Sequence, residues 1–136
     1  MYTPPAFRHD DLPELHAAIR AAGLATLVTA TADGLIGTPL PLVLAPDEGP
    51  FGTLYGHLAR ANPQATLAPV GEAMAIFAGP DAYVSPGWYP SKAEHGRVVP
   101  TWNYAAIHAY GTPEFYDDPA RLHAHVSALS ARHEAG

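Results

Sequence analysis

The order of apolar and polar positions along the chain alternates between two periods. Leu12, Leu15, Ile19 and Ala22 fall on one face of a helix, which predicts a helix over 10–23. Asp10 or Asp11 caps it, Pro13 and Glu14 suit its first turn, and Gly23 ends it. Residues 24–30 (Leu-Ala-Thr-Leu-Val-Thr-Ala) then read as a strand, followed by the hairpin signal Asp33-Gly34. The run 35–44 is strand-like but carries Pro39 and Pro41. Residues two apart in a strand point their N–H groups to the same flank. Both missing donors therefore lie along one side, which suits an edge or an interrupted ladder. Residues 51–57 predict a third strand, and 58–64 start a loop or short helix. A fourth strand is expected at 73–78, a turn at Gly79-Pro80-Asp81 and a fifth strand at 82–85. A long irregular segment spans 86–101, and a strand 102–110 continues or is neighboured by 112–116. Asp117 or Asp118 caps a last helix, with Pro119 in its first turn and Leu122, Val126 and Leu129 as its apolar stripe. Several short strands with Gly/Pro turns and a helix at each end make the fold mainly β with flanking helices, a small barrel in a single domain over 1–136.

Composition narrows the chemistry. The chain has no cysteine, which excludes thiol nucleophiles, iron–sulfur clusters and cysteine zinc sites. Its formal charge of -6 is a poor match to a nucleic-acid backbone, so direct DNA binding is not expected. Nothing resembles a membrane span or a signal peptide, which predicts a cytoplasmic protein. The eight histidines lack metal-ligand spacing, and His123 and His125, two apart on a helix, diverge. No metal site and no catalytic nucleophile, acid or base is expected.

The segment from Pro86 to Tyr104 is the most informative. It holds both tryptophans, Trp88 and Trp102, and the only lysine, Lys92. Lys92 and Arg97 against Glu94 leave the stretch 86–110 at +1 in a chain that is -6 overall. Rings for stacking and cations for phosphate suit a planar anionic ligand. A surface loop pinned by aromatics is the plainer alternative. A second candidate is the segment from Tyr55 through Gly56, His57 and Arg60 to Asn62-Pro63, where Gly56 permits close approach and His57 and Arg60 could reach a phosphate.

These residues, taken in order, resemble a known family. The opening Met1-Tyr2-Thr3-Pro4-Pro5-x-Phe7, the segment Gly56-His57-x-x-Arg60-Ala61-Asn62-Pro63 and Gly79-Pro80-Asp81-Ala82-Tyr83-Val84-Ser85-Pro86 lead into Trp88-Tyr89-Pro90-Ser91-Lys92. Gly96-x-Val98-Val99-Pro100-Thr101-Trp102-Asn103-Tyr104 closes the block. Together they resemble the PaiB family of FMN-binding negative transcriptional regulators, over essentially the whole chain. The resemblance implies an FMN-binding split β-barrel, FMN as cofactor, and a homodimer with flavin at the subunit interface. It implies that Thr38, Leu40 and Leu42, with Tyr55, Gly56 and His57, flank the isoalloxazine and ribityl chain. It places His57, Arg60 and Asn62 near the phosphate. Trp88, Lys92, Trp102 and Asn103 then close over the flavin or reach across the dimer, with Lys92 a second phosphate ligand. Two departures stand out. Pro39 stands where a histidine is expected, and the chain ends at Gly136 without the further helix and final strand of the family. A flavin-dependent oxidoreductase or flavin reductase acting on a small molecule is the alternative function, since its chemistry would belong to FMN.

Overall fold

The computed structural model describes residues 1–134. Helix α1 (Leu12–Ala21) forms where the apolar spacing requires it, and Asp11 caps it by accepting a hydrogen bond from Glu14 N at 3.0 Å. Strands β1 (Ala25–Thr31) and β2 (Gly34–Leu40) make an antiparallel hairpin, with Gly34 at φ 119° in the turn. The chain breaks at Pro41-Leu42 and continues as β3 (Val43–Ala45), which pairs with β4 (Thr53–Tyr55) in a separate two-stranded ribbon. A 3₁₀ turn at Pro63–Ala65 precedes β5 (Ala73–Val84). The short helix α2 (Ser91–His95) leads to β6 (Thr101–Gly111), and α3 (Pro119–Glu134) ends the described chain.

The larger sheet runs β2-β1-β5-β6, all antiparallel, so β2 is an edge strand, as suits Pro39 within it, and Pro41 falls in the break that ends it. The register defines its two faces. Thr38, Leu27, Ala75 and Ala109 form one row, and Leu40, Ala25, Phe77 and Ile107 belong to the same face. That face carries the core, with Ile19 of α1 and Leu42 packed against it. On the opposite face Pro39, Thr26, Ile76 and His108 make one row, and Gly37, Val28, Met74 and Tyr110 the next.

Two loops are fastened from inside. Gln64, only 1% exposed, sends its side-chain amide against Leu27 O (3.1 Å), Thr29 Oγ1 (3.1 Å) and Ile36 O (3.2 Å). One amide thus ties the 3₁₀ turn to both strands of the first hairpin. Gly56 lies against the core at very short range. A Cβ there would come within 2.6 Å of Leu42 Cδ2 and 2.8 Å of Leu40 Cδ1.

Four sequence expectations are corrected. Gly79-Pro80-Asp81 is not a turn. β5 runs through it as one strand, with Gly79 and Pro80 set against the single residue Ala105 in a bulge. A Cβ on Gly79 would sit 3.0 Å from Ala105 Cβ, so glycine answers a close approach rather than a reversal. Residues 112–116 form no strand. The segment 86–101 is not irregular throughout; it contains a 3₁₀ turn at Pro86–Trp88 and α2. Finally, α3 does not pack through its apolar stripe. Leu122 and Val126 remain 45% and 41% exposed, and the buried residue of the helix is His125. Asp118 caps α3 through Arg121 N at 2.8 Å.

Replacing Gln64 with Leu removes the three hydrogen bonds that tie the 3₁₀ turn to the first hairpin, and is expected to cost about 1–3 kcal/mol. A urea midpoint lowered at constant slope reads this loss; an unchanged midpoint would mean the amide does not hold the turn. Gly56→Ala overpacks Leu40 and Leu42 and should cost about 1–3 kcal/mol. Combining it with Leu42→Ala should recover part of that loss, a coupling that a double-mutant cycle measures.

Candidate functional site

The expected site residues separate into two groups on different parts of the molecule. The first group lies on the body, beside the small ribbon. Asn62 accepts from Gln64 N through Oδ1 (2.9 Å) and donates through Nδ2 to Thr38 Oγ1 (3.0 Å). It thereby caps its own turn and fixes the loop to β2. Leu40 and Leu42 are 4% and 7% exposed members of the core, so their side chains are committed to packing. Any ligand contact from them is confined to backbone. Gly56 is likewise occupied by packing against those leucines. Tyr55, at the end of β4, donates its hydroxyl to Glu48, and this bond with burial raises its pKa above the usual phenol value. His57 and Arg60 are exposed at the rim. Arg60 makes a surface ion pair with Asp117 at 3.4 Å, a weak restraint that an anionic ligand can displace.

The second group lies on an arm. Beyond the bulge, Asp81–Val84 pairs with Thr101–Tyr104 past the end of β1, and neither face of this ladder is covered by the body. Tyr83 and Trp102 face each other with ring centroids 6.0 Å apart, and Trp102 Nε1 donates to Asp81 Oδ1 at 3.1 Å. Asn103 pairs with Ala82 and is exposed. The tip is folded by its own bonds. Gly87 N donates to Ser85 Oγ, Lys92 N to Tyr89 O, and Gly96 N to Lys92 O, with Gly96 left-handed at φ 65°. An open concavity of about 570 Å³ is lined by Gly87, Trp88, Tyr89, Pro90, Lys92 and Ala93. Trp88 is 70% exposed. Among the described residues Lys92 and Arg97 have no carboxylate partner.

The structure therefore brings Thr38 and Asn62 into contact and sets Tyr55, Gly56 and His57 in sequence beside them. It brings Trp88 together with Lys92. Among the described residues no hydrogen bond or ion pair joins the tip 85–100 to the body. The chemistry of this donor set fits a flavin phosphate ester. Exposed cations are available at both places, flat aromatic faces are unclaimed on the arm, and the body supplies an exposed edge strand.

Sequence reasoning missed three residues that shape the site. Gln64 anchors the loop, His125 on α3 faces His57 with ring centroids 5.3 Å apart, and Arg132 bonds α3 to the carbonyls of Leu42, Arg20 and Ala22. The Asn-Pro turn marks the place of Gln64, but its burial comes from contacts 28–37 residues away along the chain. The described residues contain no cluster of three metal-ligating side chains, and no helix among them is long and apolar enough to cross a membrane.

Comparison with known proteins agrees with this chemistry. A family model described as "Putative FMN-binding domain" matches residues 1–136. Bacillus subtilis protease synthase and sporulation protein PAI 2 is 34% identical over 112 residues, covering 82% of this chain and 51% of that protein. An uncharacterized Saccharomyces cerevisiae protein is 36% identical over 86 residues, covering 62% of this chain and 51% of that one. An uncharacterized Aspergillus fumigatus protein is 33% identical, covering 87% of this chain and 58% of its own length. The chain spans about half the length of these relatives. With the family model matching from first residue to last, and the residues fitting the cofactor its description names, the chain belongs to the PaiB-like family of FMN-binding domains.

Proposed function

We propose that this chain binds FMN as a split-barrel homodimer of the PaiB-like regulatory class. The observation that carries this reading is the arm tip. In a chain of net charge -6, Trp88 and Tyr89 sit beside Lys92, exposed and without a carboxylate partner among the described residues. His57 and Arg60 on the body hold the phosphate, with Asn62 fixing their loop. The exposed edge of β2 offers backbone to the ring system. When bound, FMN supplies reversible electron transfer; the protein binds and orients it.

Two features support a second copy. The outer face of the sheet presents Val28, Met74 and Ile76 only half-buried, and His108 Nδ1 on that face is sealed from solvent without a hydrogen-bond partner. An apolar sheet face ordinarily has a second layer on it. The arm, uncovered on both faces, reaches beyond its own body and can close over the site of a partner. In this reading one protomer supplies His57 and Arg60, and the other supplies Trp88 and Lys92. The negative charge disfavours direct DNA docking, so regulation proceeds through the flavin state or a protein partner.

The test is an FMN titration followed by flavin fluorescence, with size-exclusion chromatography on the same sample. Saturable binding by a dimer is expected. Arg60→Ala with Lys92→Ala removes two charge-assisted contacts and should weaken binding at least tenfold while the thermal midpoint stays within about 2 °C, because both side chains are exposed. Full affinity in that double variant would overturn the phosphate assignment; a folded chain that binds no FMN would overturn the function.

A further inference from the structure

Two polar side chains of helix α3, Arg132 and His125, are turned onto the body. At its C-terminal end Arg132 donates to Leu42 O (2.9 Å), Ala22 O (3.1 Å) and Arg20 O. Two turns earlier, His125 is 7% exposed and faces His57, which follows β4, with ring centroids 5.3 Å apart and planes tilted by 60°. Its Nε2 is sealed from solvent and has no hydrogen-bond partner. Beside it, between α3 and the β3–β4 ribbon, lies an apolar cavity of about 240 Å³ walled by Val43, Tyr55, Tyr116, Arg121, Ala124 and Ala128. This end of the helix is therefore loosely packed around one imidazole.

That contact favours the neutral ring. An imidazolium has two N–H donors to satisfy, and here one faces no acceptor. The charged or titratable groups around it offer no compensation. His57 comes from the loop after β4, Tyr55 from β4, Tyr116 from the segment before α3, and Arg121 from α3 itself. Tyr55 and Arg121 are themselves bonded to carboxylates, Glu48 and Glu114 respectively, and no carboxylate lines the pocket beside His125. Burial first, and His57 second, hold His125 below the ordinary imidazole value.

We propose that the His57–His125 contact is a proton-released latch: protonation of His125 frees the front half of α3 from the β3–β4 ribbon and releases the His57 ring from its contact with the helix. The undocked ring regains a pKa of about 6.5. Undocking therefore takes up a proton, and the docked state is fully favoured above about pH 6.5. Below that value the ratio of docked to undocked helix falls by up to tenfold per pH unit, until the pH reaches the depressed value of the docked ring. The latch stands on this chain's own contacts. Only its effect on cofactor affinity, through His57 and Arg60, rests on the FMN reading.

The test follows the ligand-free chain by NMR from pH 8 to pH 5, observing imidazole C2–H signals and the backbone amides of α3. The amides of residues 121–127 should shift with the same midpoint as His125, below pH 6.5. His125→Phe keeps a ring that cannot charge and should abolish that transition. His57→Ala removes the facing imidazole and part of the burial, so it should move the midpoint upward. The idea is sunk if the α3 amides stay fixed while His125 titrates, or if His125→Phe shows the wild-type transition. Should His125→Phe not fold, an unmoved midpoint in His57→Ala is the overturning result. None of these readouts requires FMN, so absence of flavin binding would leave the latch standing and fail only the cofactor reading.

Discussion

The β5–β6 ladder is the interaction on which the rest of the molecule depends. Its first half is backed by the core through Ala75, Phe77, Ile107 and Ala109. Its second half, past the bulge at Gly79-Pro80, has no core behind it. Backbone hydrogen bonds hold the pair together there, while its side chains stay in water. A two-stranded ribbon of this kind is marginal by itself in water. It persists because it grows out of a sheet whose inner half is fixed, and because Tyr83, Trp102 and Asp81 clasp across it. The consequence is geometric. Aromatic rings and the lone lysine are carried away from the body that holds Thr38, Asn62, His57 and Arg60.

The elements of the fold were legible where one local signal sufficed. Asp11 and Asp118 cap the helices as expected, and the prolines of the second strand predicted an edge. The misreadings share one cause. Gly79-Pro80-Asp81 has turn composition, yet long-range pairing with Ala105 and Tyr104 draws it into a strand. Leu122, Val126 and Leu129 form a helical stripe, yet α3 is docked by His125 and by the guanidinium of Arg132. Local propensity was overridden by partners distant in sequence, which no window along the chain contains.

The candidate site was legible in composition but not in arrangement. The cations and rings of the 86–104 block stand out by count alone. Their separation from the 55–62 segment does not, because it follows from ladder length and the position of the bulge. Burial also divided the expected residues. Leu40, Leu42 and Gly56 belong to packing, while Thr38 and Asn62 hold each other. The residues left exposed to a ligand are His57, Arg60, Trp88, Lys92 and the face of the arm at Trp102 and Asn103. They offer cations at two places and rings at one, which is how an elongated phosphate ester of a flat ring would be gripped.

The proposed sharing of one flavin between two chains is tested most directly by mixing defective partners. One variant carries His57→Ala with Arg60→Ala, the other Trp88→Ala with Lys92→Ala. Each alone should bind FMN at least tenfold more weakly than the unaltered chain, since each lacks charge-assisted contacts in both of its sites. Mixed and allowed to exchange subunits, they should regain tight binding at about one site in each mixed dimer. Failure to regain it, in a mixture shown by mass to contain mixed dimers, would mean that both groups act within one chain and would contradict the shared site.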